Sequence, residues 1–148
     1  MDSIQINTGV KRIAINGDEN RVITFNPQDI TFAEKFYALM RSFDDKQGEY
    51  MARAEALDQD TEADENGLPV NLGERIAFMR DICEYYHAQI DTLFGEGTSQ
   101  TVFEGALGLD MIQQFFEGIT PMIQHARQEK VAKYQRVSGK GKSSKVMK

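Results

Sequence analysis

Apolar side chains recur at helical spacing through Leu72, Ile76, Met79, Ile82, Cys83, Tyr86, Ile90, Leu93 and Phe94. A stripe sustained over about six turns commits the middle of the chain to one long amphipathic helix, which has to bury a side against something else. Asn71 and Glu74 stand at capping-box spacing before it, and Gly95 is placed to stop it. A second helix is expected upstream, starting near Thr31, where Thr31 and Glu34 repeat the capping box. Phe32, Phe36, Leu39 and Phe43 form its stripe, widened by Ala33, Tyr37 and Met40. Beyond Gly48 the pattern weakens, although Tyr50, Ala54 and Leu57 can carry it to about Leu57. Asp58 to Pro69 is then an acidic connector between the two helices.

The two ends of the chain read differently. Ile4, Ile6, Thr8 and Val10 share one parity and Ile13 and Ile15 the other, which suggests a strand with a bulge or twist beside Gly9. Asn16 to Arg21 supplies a turn, and Val22 to Phe25 a return strand, so a hairpin is expected over about 4–26. After Gly95, the residues Glu96 and Gly97 make a turn, with Thr98 or Ser99 capping a short helix through Val102 and Phe103. Asp110 can cap a last helix with an apolar face of Met111, Ile112, Phe115, Phe116 and Ile119. Gly118 and Pro121 fall inside it. Proline lacks the amide that would bond to Glu117, so a kink or break is expected between Gly118 and Pro121. The fold class is mainly α with a small N-terminal β-hairpin (α+β): a bundle of about four helices, the last kinked near Pro121. One domain is expected over 1–136, followed by a basic, disordered tail over 137–148.

Charge divides the chain. Residues 1–126 carry a net −13 and residues 127–148 a net +7. An acidic body repels phosphate backbones, which argues against nucleic acid as its partner. The single cysteine, Cys83, allows no internal disulfide and suits a reducing compartment. The opening residues lack a basic region and an apolar core, unlike a secretory signal. No apolar run approaches the ~20 residues that span a bilayer. These features point to a soluble protein of the cytoplasm.

Candidates for chemistry are few. Cys83 and His87 lie one helical turn apart but supply only two metal ligands, and His125 belongs to another helix, so no metal site is expected. Asp58, Asp60 and Glu62 alternate like a calcium loop, but Ala63 stands where glycine is needed and Pro69 where a bidentate Glu is needed. Gly95 to Thr98 resembles a phosphate cradle only superficially: it follows a helix, carries Glu96 and has no lysine after it. No cofactor and no enzymatic activity are expected. The surplus is apolar. Phe115, Phe116, Ile119, Met122 and Ile123, flanking Pro121, are the candidate protein-interaction face, because aromatic and methionine side chains adapt to helical ligands.

Several stretches together carry a resemblance: residues 6–17 and 22–27, the helix from Thr31 to Asp44, the segment from Cys83 to Phe103, and Phe115 to Arg127. In layout and wording the chain resembles the tail assembly chaperones of long-tailed phages and prophages. That resemblance implies a chaperone that binds the tape measure protein, a helical client. It would keep the client soluble in the host cytoplasm during tail tube assembly and be absent from the mature virion. Self-association is also open, with several copies per client. In such systems a translational frameshift can extend the product, and Lys140, Gly141 and Lys142 permit a slippery sequence. The alternative is a structural tail or head-tail joining subunit that adds its hairpin to a neighbour.

Overall fold

Asn16 and Gly17 both take positive φ, 55° and 72°. These are the values that a two-residue hairpin turn of the favoured twist requires. In the computed structural model, which describes residues 1–126, this turn joins β1 (Lys11–Ile15) to β2 (Asp18–Phe25) in a two-stranded antiparallel sheet. Ile13 pairs with Ile23 and Lys11 with Phe25. Past Ala14 the register jumps, so that Ile15 faces Asp18 and residues 19–21 bulge from β2. Two expectations change here. β structure begins at Lys11 rather than near Ile4, and the irregularity lies in β2 rather than beside Gly9. The turn is also shorter than the six residues read from composition, because only Asn16 and Gly17 are needed to reverse the chain.

Four helices follow. α1 spans Ile30–Asp58, α2 Leu72–Phe94 and α3 Thr98–Phe103, and α4 covers residues 109–126 of the described chain. Asp29, not Thr31, caps α1: its carboxylate accepts from the Thr31 amide at 2.9 Å. Asn71 precedes α2 as expected but makes no side-chain cap. It donates instead from Nδ2 to the Leu57 carbonyl and accepts at Oδ1 from Arg75 Nε, tying the end of α1 to the start of α2. Gly95 ends α2 with φ 120°. α4 begins one residue before Asp110, which therefore sits in the first turn, where a negative charge suits the helix dipole. Between Gly118 and Pro121, where a kink or break is expected, the backbone stays helical through both residues, so the chain does not break there.

The core forms where hairpin, α1 and α2 meet. Phe25, Phe32 and Phe94 pack with tilted or edge-on rings, their centroids 5.2–5.7 Å apart. Ile23, Leu39, Ile90, Phe103, Ile119 and Ile123 join the same cluster. Tyr37 falls outside it, exposed, with Arg41 over its ring. The distal halves of α1 and α2 project beyond the core: apart from Asn71, no residue from 41 to 82 is buried. Ile76 and Met79, expected on the buried stripe, are 52% and 45% exposed. That projection is joined by side-chain contacts of another kind. Lys46 lies over Tyr85 at 5.1 Å and Arg53 over Phe78 at 4.7 Å, while Arg53 also pairs with Asp81 at 3.0 Å. The expected end of the domain at residue 136 and the basic tail over 137–148 lie outside the described residues. Among the described residues no helix is long and apolar enough to cross a membrane.

Candidate functional site, a groove between hairpin and last helix

The bulge in β2 turns Arg21 toward α3. Its Nε donates to the Thr101 carbonyl at 3.0 Å, Nη2 to the Val102 carbonyl at 2.5 Å, and Nη1 pairs with Glu104 at 3.1 Å. A cation is favourable there because the last carbonyls of a helix lack intrahelical partners and carry partial negative charge. The contact anchors the hairpin to the end of α3 and leaves a cleft between both and α4.

That cleft is an open, mainly apolar groove of about 390 Å³, with Asn16, Arg21 and Glu104 also on its lining. Ile13, Ile15 and Ile23 form its hairpin wall, Val102 and Phe103 its end, and Met111, Phe115, Ile119 and Met122 its α4 wall. Gln114 and Gly118 also border it from α4. The volume falls in the range that holds small ligands or a few side chains of a partner. Met122, 41% exposed, sits at its rim.

The five residues chosen from sequence divide here. Phe115, Ile119 and Met122 line the groove. Phe115 also packs edge-on against Phe94 at 5.5 Å. Phe116 turns the other way, edge-on to Phe43 at 5.5 Å, with Tyr86 at 6.2 Å. Ile123 is a core residue, 2% exposed. Adjacent positions on a helix point about 100° apart, so Phe115 and Phe116 cannot share one face. The hairpin wall and Phe103 escaped the sequence reading. Ile13 and Ile15 carried a signal, a shared parity, but nothing local says which helix they will meet.

Behind Phe103, the ring of His87 stacks on it at 4.6 Å with an 11° tilt. Its Nε2 is buried without a hydrogen-bond partner among the described residues. Burial holds this imidazole below its ordinary value of 6.5, against the opposing pull of Asp91 and Glu84. Cys83, one turn earlier, is buried and its thiol is pushed up by that burial. A thiol held in its protonated form is not an activated nucleophile. Among the described residues no cluster of three histidine, cysteine or acidic side chains is placed to hold a metal ion.

α3 is positioned from α2. The Asp91 carboxylate accepts from the Ser99 amide at 2.7 Å and the Ser99 hydroxyl at 2.9 Å. The Ser99 amide in the first turn of α3 is thus satisfied by a side chain eight residues back, while the Thr98 amide and hydroxyl both donate to the Gly95 carbonyl. Neither Thr98 nor Ser99 is the cap, which is Gly97 in a left-handed conformation.

Searches of curated proteins and of solved structures return no match to the chain. A protein-family model matches residues 18–146, a span that runs from the start of β2 across every helix, and the chain therefore belongs to the family it describes, a family of unknown function (DUF6673).

Proposed function

We propose that this protein is a phage-type tail assembly chaperone whose groove holds an apolar segment of the tape measure protein and keeps that client soluble until the tail tube forms around it. The observation that carries the reading is the groove itself: an open apolar cleft bounded by flexible methionines, Met111 and Met122, and by an aromatic ring, Phe115. Such surfaces accommodate varied helical or extended segments, with affinity drawn from burial of the client's apolar side chains. The resemblance in layout supplies the client's identity. The acidic body supplies solubility to the complex, since net charge opposes aggregation.

Gly118 provides a clean test. It lies in α4 on the groove, and a Cβ added there meets nothing within 4 Å. Gly118→Glu replaces a poor helix former with a good one, so it should leave stability unchanged or raise it by up to about 1 kcal/mol. It also puts a charge into the groove. Co-expression with the tape measure protein of the same genome should give soluble client with the wild type. With Gly118→Glu plus Met122→Asp, client should be insoluble although the chaperone stays folded. Client solubility that ignores both the protein and the variants, with the protein present in purified particles, would overturn the reading in favour of a structural subunit.

A further inference from the structure

The most exposed aliphatic side chains ahead of β1 lie in residues 1–10. Ile4 is 85% and Ile6 77% exposed. They alternate with Ser3, Gln5 and Asn7, so an extended backbone sets both isoleucines on one face and polar groups on the other. The base of the segment is fixed. Asn26 Nδ2 donates to the Thr8 carbonyl at 2.6 Å, and the Gly9 amide donates to Asn7 Oδ1 at 3.1 Å. Gly9 has φ +83°, and a Cβ there would lie 2.6 Å from Gln28 Oε1, so this departure from the hairpin depends on glycine. The segment leaves at the end where Lys11 pairs with Phe25, while the groove extends along β1 from Ile13 toward the turn at Asn16. The isoleucines of one copy therefore stand clear of their own groove.

The groove matches such a segment. Ile13, Ala14 and Ile15 all border it, so the groove runs along β1. Among the described residues β1 pairs only with β2, and β2 carries the packing against α2 and α3. The other edge of β1 thus keeps unpaired amides and carbonyls, a ready template for one more strand. Asp2, the one charged side chain in the segment, is opposite in sign to the exposed Lys11 and Arg12 that open β1.

We propose that residues 3–7 of one copy add to the free edge of β1 in a second copy, laying Ile4 and Ile6 into its groove against Phe115, Ile119 and Met122, and that the exchange is reciprocal. The area suffices. An extended chain exposes about 1.45 Å² per dalton, so residues 1–7 present on the order of 1,100 Å². Covering half of that, with a matching area on the groove, buries on the order of 2,000 Å² over two reciprocal contacts, the size class of a specific dimer. Main-chain bonding along the strand and alternate side chains in a cleft are the ordinary terms of β-augmentation. The proposal concerns the protein alone and does not rest on the chaperone reading.

Sedimentation equilibrium of the full chain across a concentration series tests it. Wild type should show a monomer–dimer equilibrium. Ile4→Asp plus Ile6→Asp, at exposed positions outside the core, should keep the helical circular dichroism and raise the dissociation constant by a factor on the order of 100. Gly118→Glu should do the same from the groove side. A wild type that stays monomeric throughout, or a dimer indifferent to the isoleucine changes, overturns the proposal. So does a dimer lost in the isoleucine variant but kept in Gly118→Glu, because the segment would then dock elsewhere.

Discussion

At the scale of single residues, burial drives the perturbed groups nearest the groove toward their uncharged forms. Cys83 stays a thiol and His87 an imidazole. For His87 this has a stability consequence. The unfolded chain takes up its proton near the ordinary value of 6.5, while the folded protein resists until lower pH. Its contribution is therefore present above 6.5 and is lost as pH falls from there toward the depressed folded value. Asp91 and Glu84 face the ring from α2 and soften the effect, and Phe103 covers it from α3. His87→Phe keeps an aromatic stack and removes the titration. Urea denaturation at steps from pH 7.5 to pH 5 should show a shallower loss of stability for this variant than for wild type. Equal slopes would mean that the ring charges freely in place. The pairing of His87 with Phe103 was not legible in the sequence, which places the two residues on different helices and gives no sign of which rings will stack.

Elements differ in how much of their stability is their own. α1 and α2 were legible because a stripe at three- and four-residue spacing is a local signal, and both ends of α2 fell where Asn71 and Gly95 placed them. Burial along that stripe was not legible. Periodicity names the face a helix offers, and only the length of its neighbours decides how much is covered, which is why Ile76 and Met79 emerge beyond the core. Capping was legible in position but not always in the acceptor that provides it. The cap of α1 moved two residues, to Asp29, and α3 takes its acceptor from Asp91 on the preceding helix. A six-residue helix cannot persist alone, since nucleation costs more than so few bonds return. Asp91→Ala should therefore destabilise the protein by about 1–2 kcal/mol, the usual cost of losing a capping acceptor. Chemical denaturation measures the loss. Because α3 forms the end of the groove, amide exchange in residues 98–103 should accelerate more than in α1. A uniform change across all helices would assign Asp91 a global role instead.

For the whole molecule, the fold class and the order of elements followed from the sequence, while the groove did not. Its walls come from β1, β2, α3 and α4, so no segment of the chain contains it, and Arg21 helps form it by tying the hairpin to the carbonyl end of α3. Phe115, Ile119 and Met122 were found because one helix carries them at spacings of four and three. The charge asymmetry is, by contrast, a property of the entire chain and readable from it: net −13 over residues 1–126 against +7 over 127–148. Self-repulsion in so acidic a body opposes compaction, and salt relieves it, whereas attraction between the body and the basic segment acts the other way and is weakened by salt. The two effects partly offset in the full chain. Replacing Lys140, Lys142, Lys145 and Lys148 by Gln removes much of the second effect without touching any described residue. The melting temperature of this variant should rise more than that of wild type between about 0.02 and 0.3 M salt, where the screening length shrinks from roughly 20 to roughly 6 Å. Parallel salt responses would show that the basic segment does not neutralise the body at all. In that event its charge would be free for another polyanion, and a salt-sensitive gain in affinity for an acidic partner would be the observation to seek.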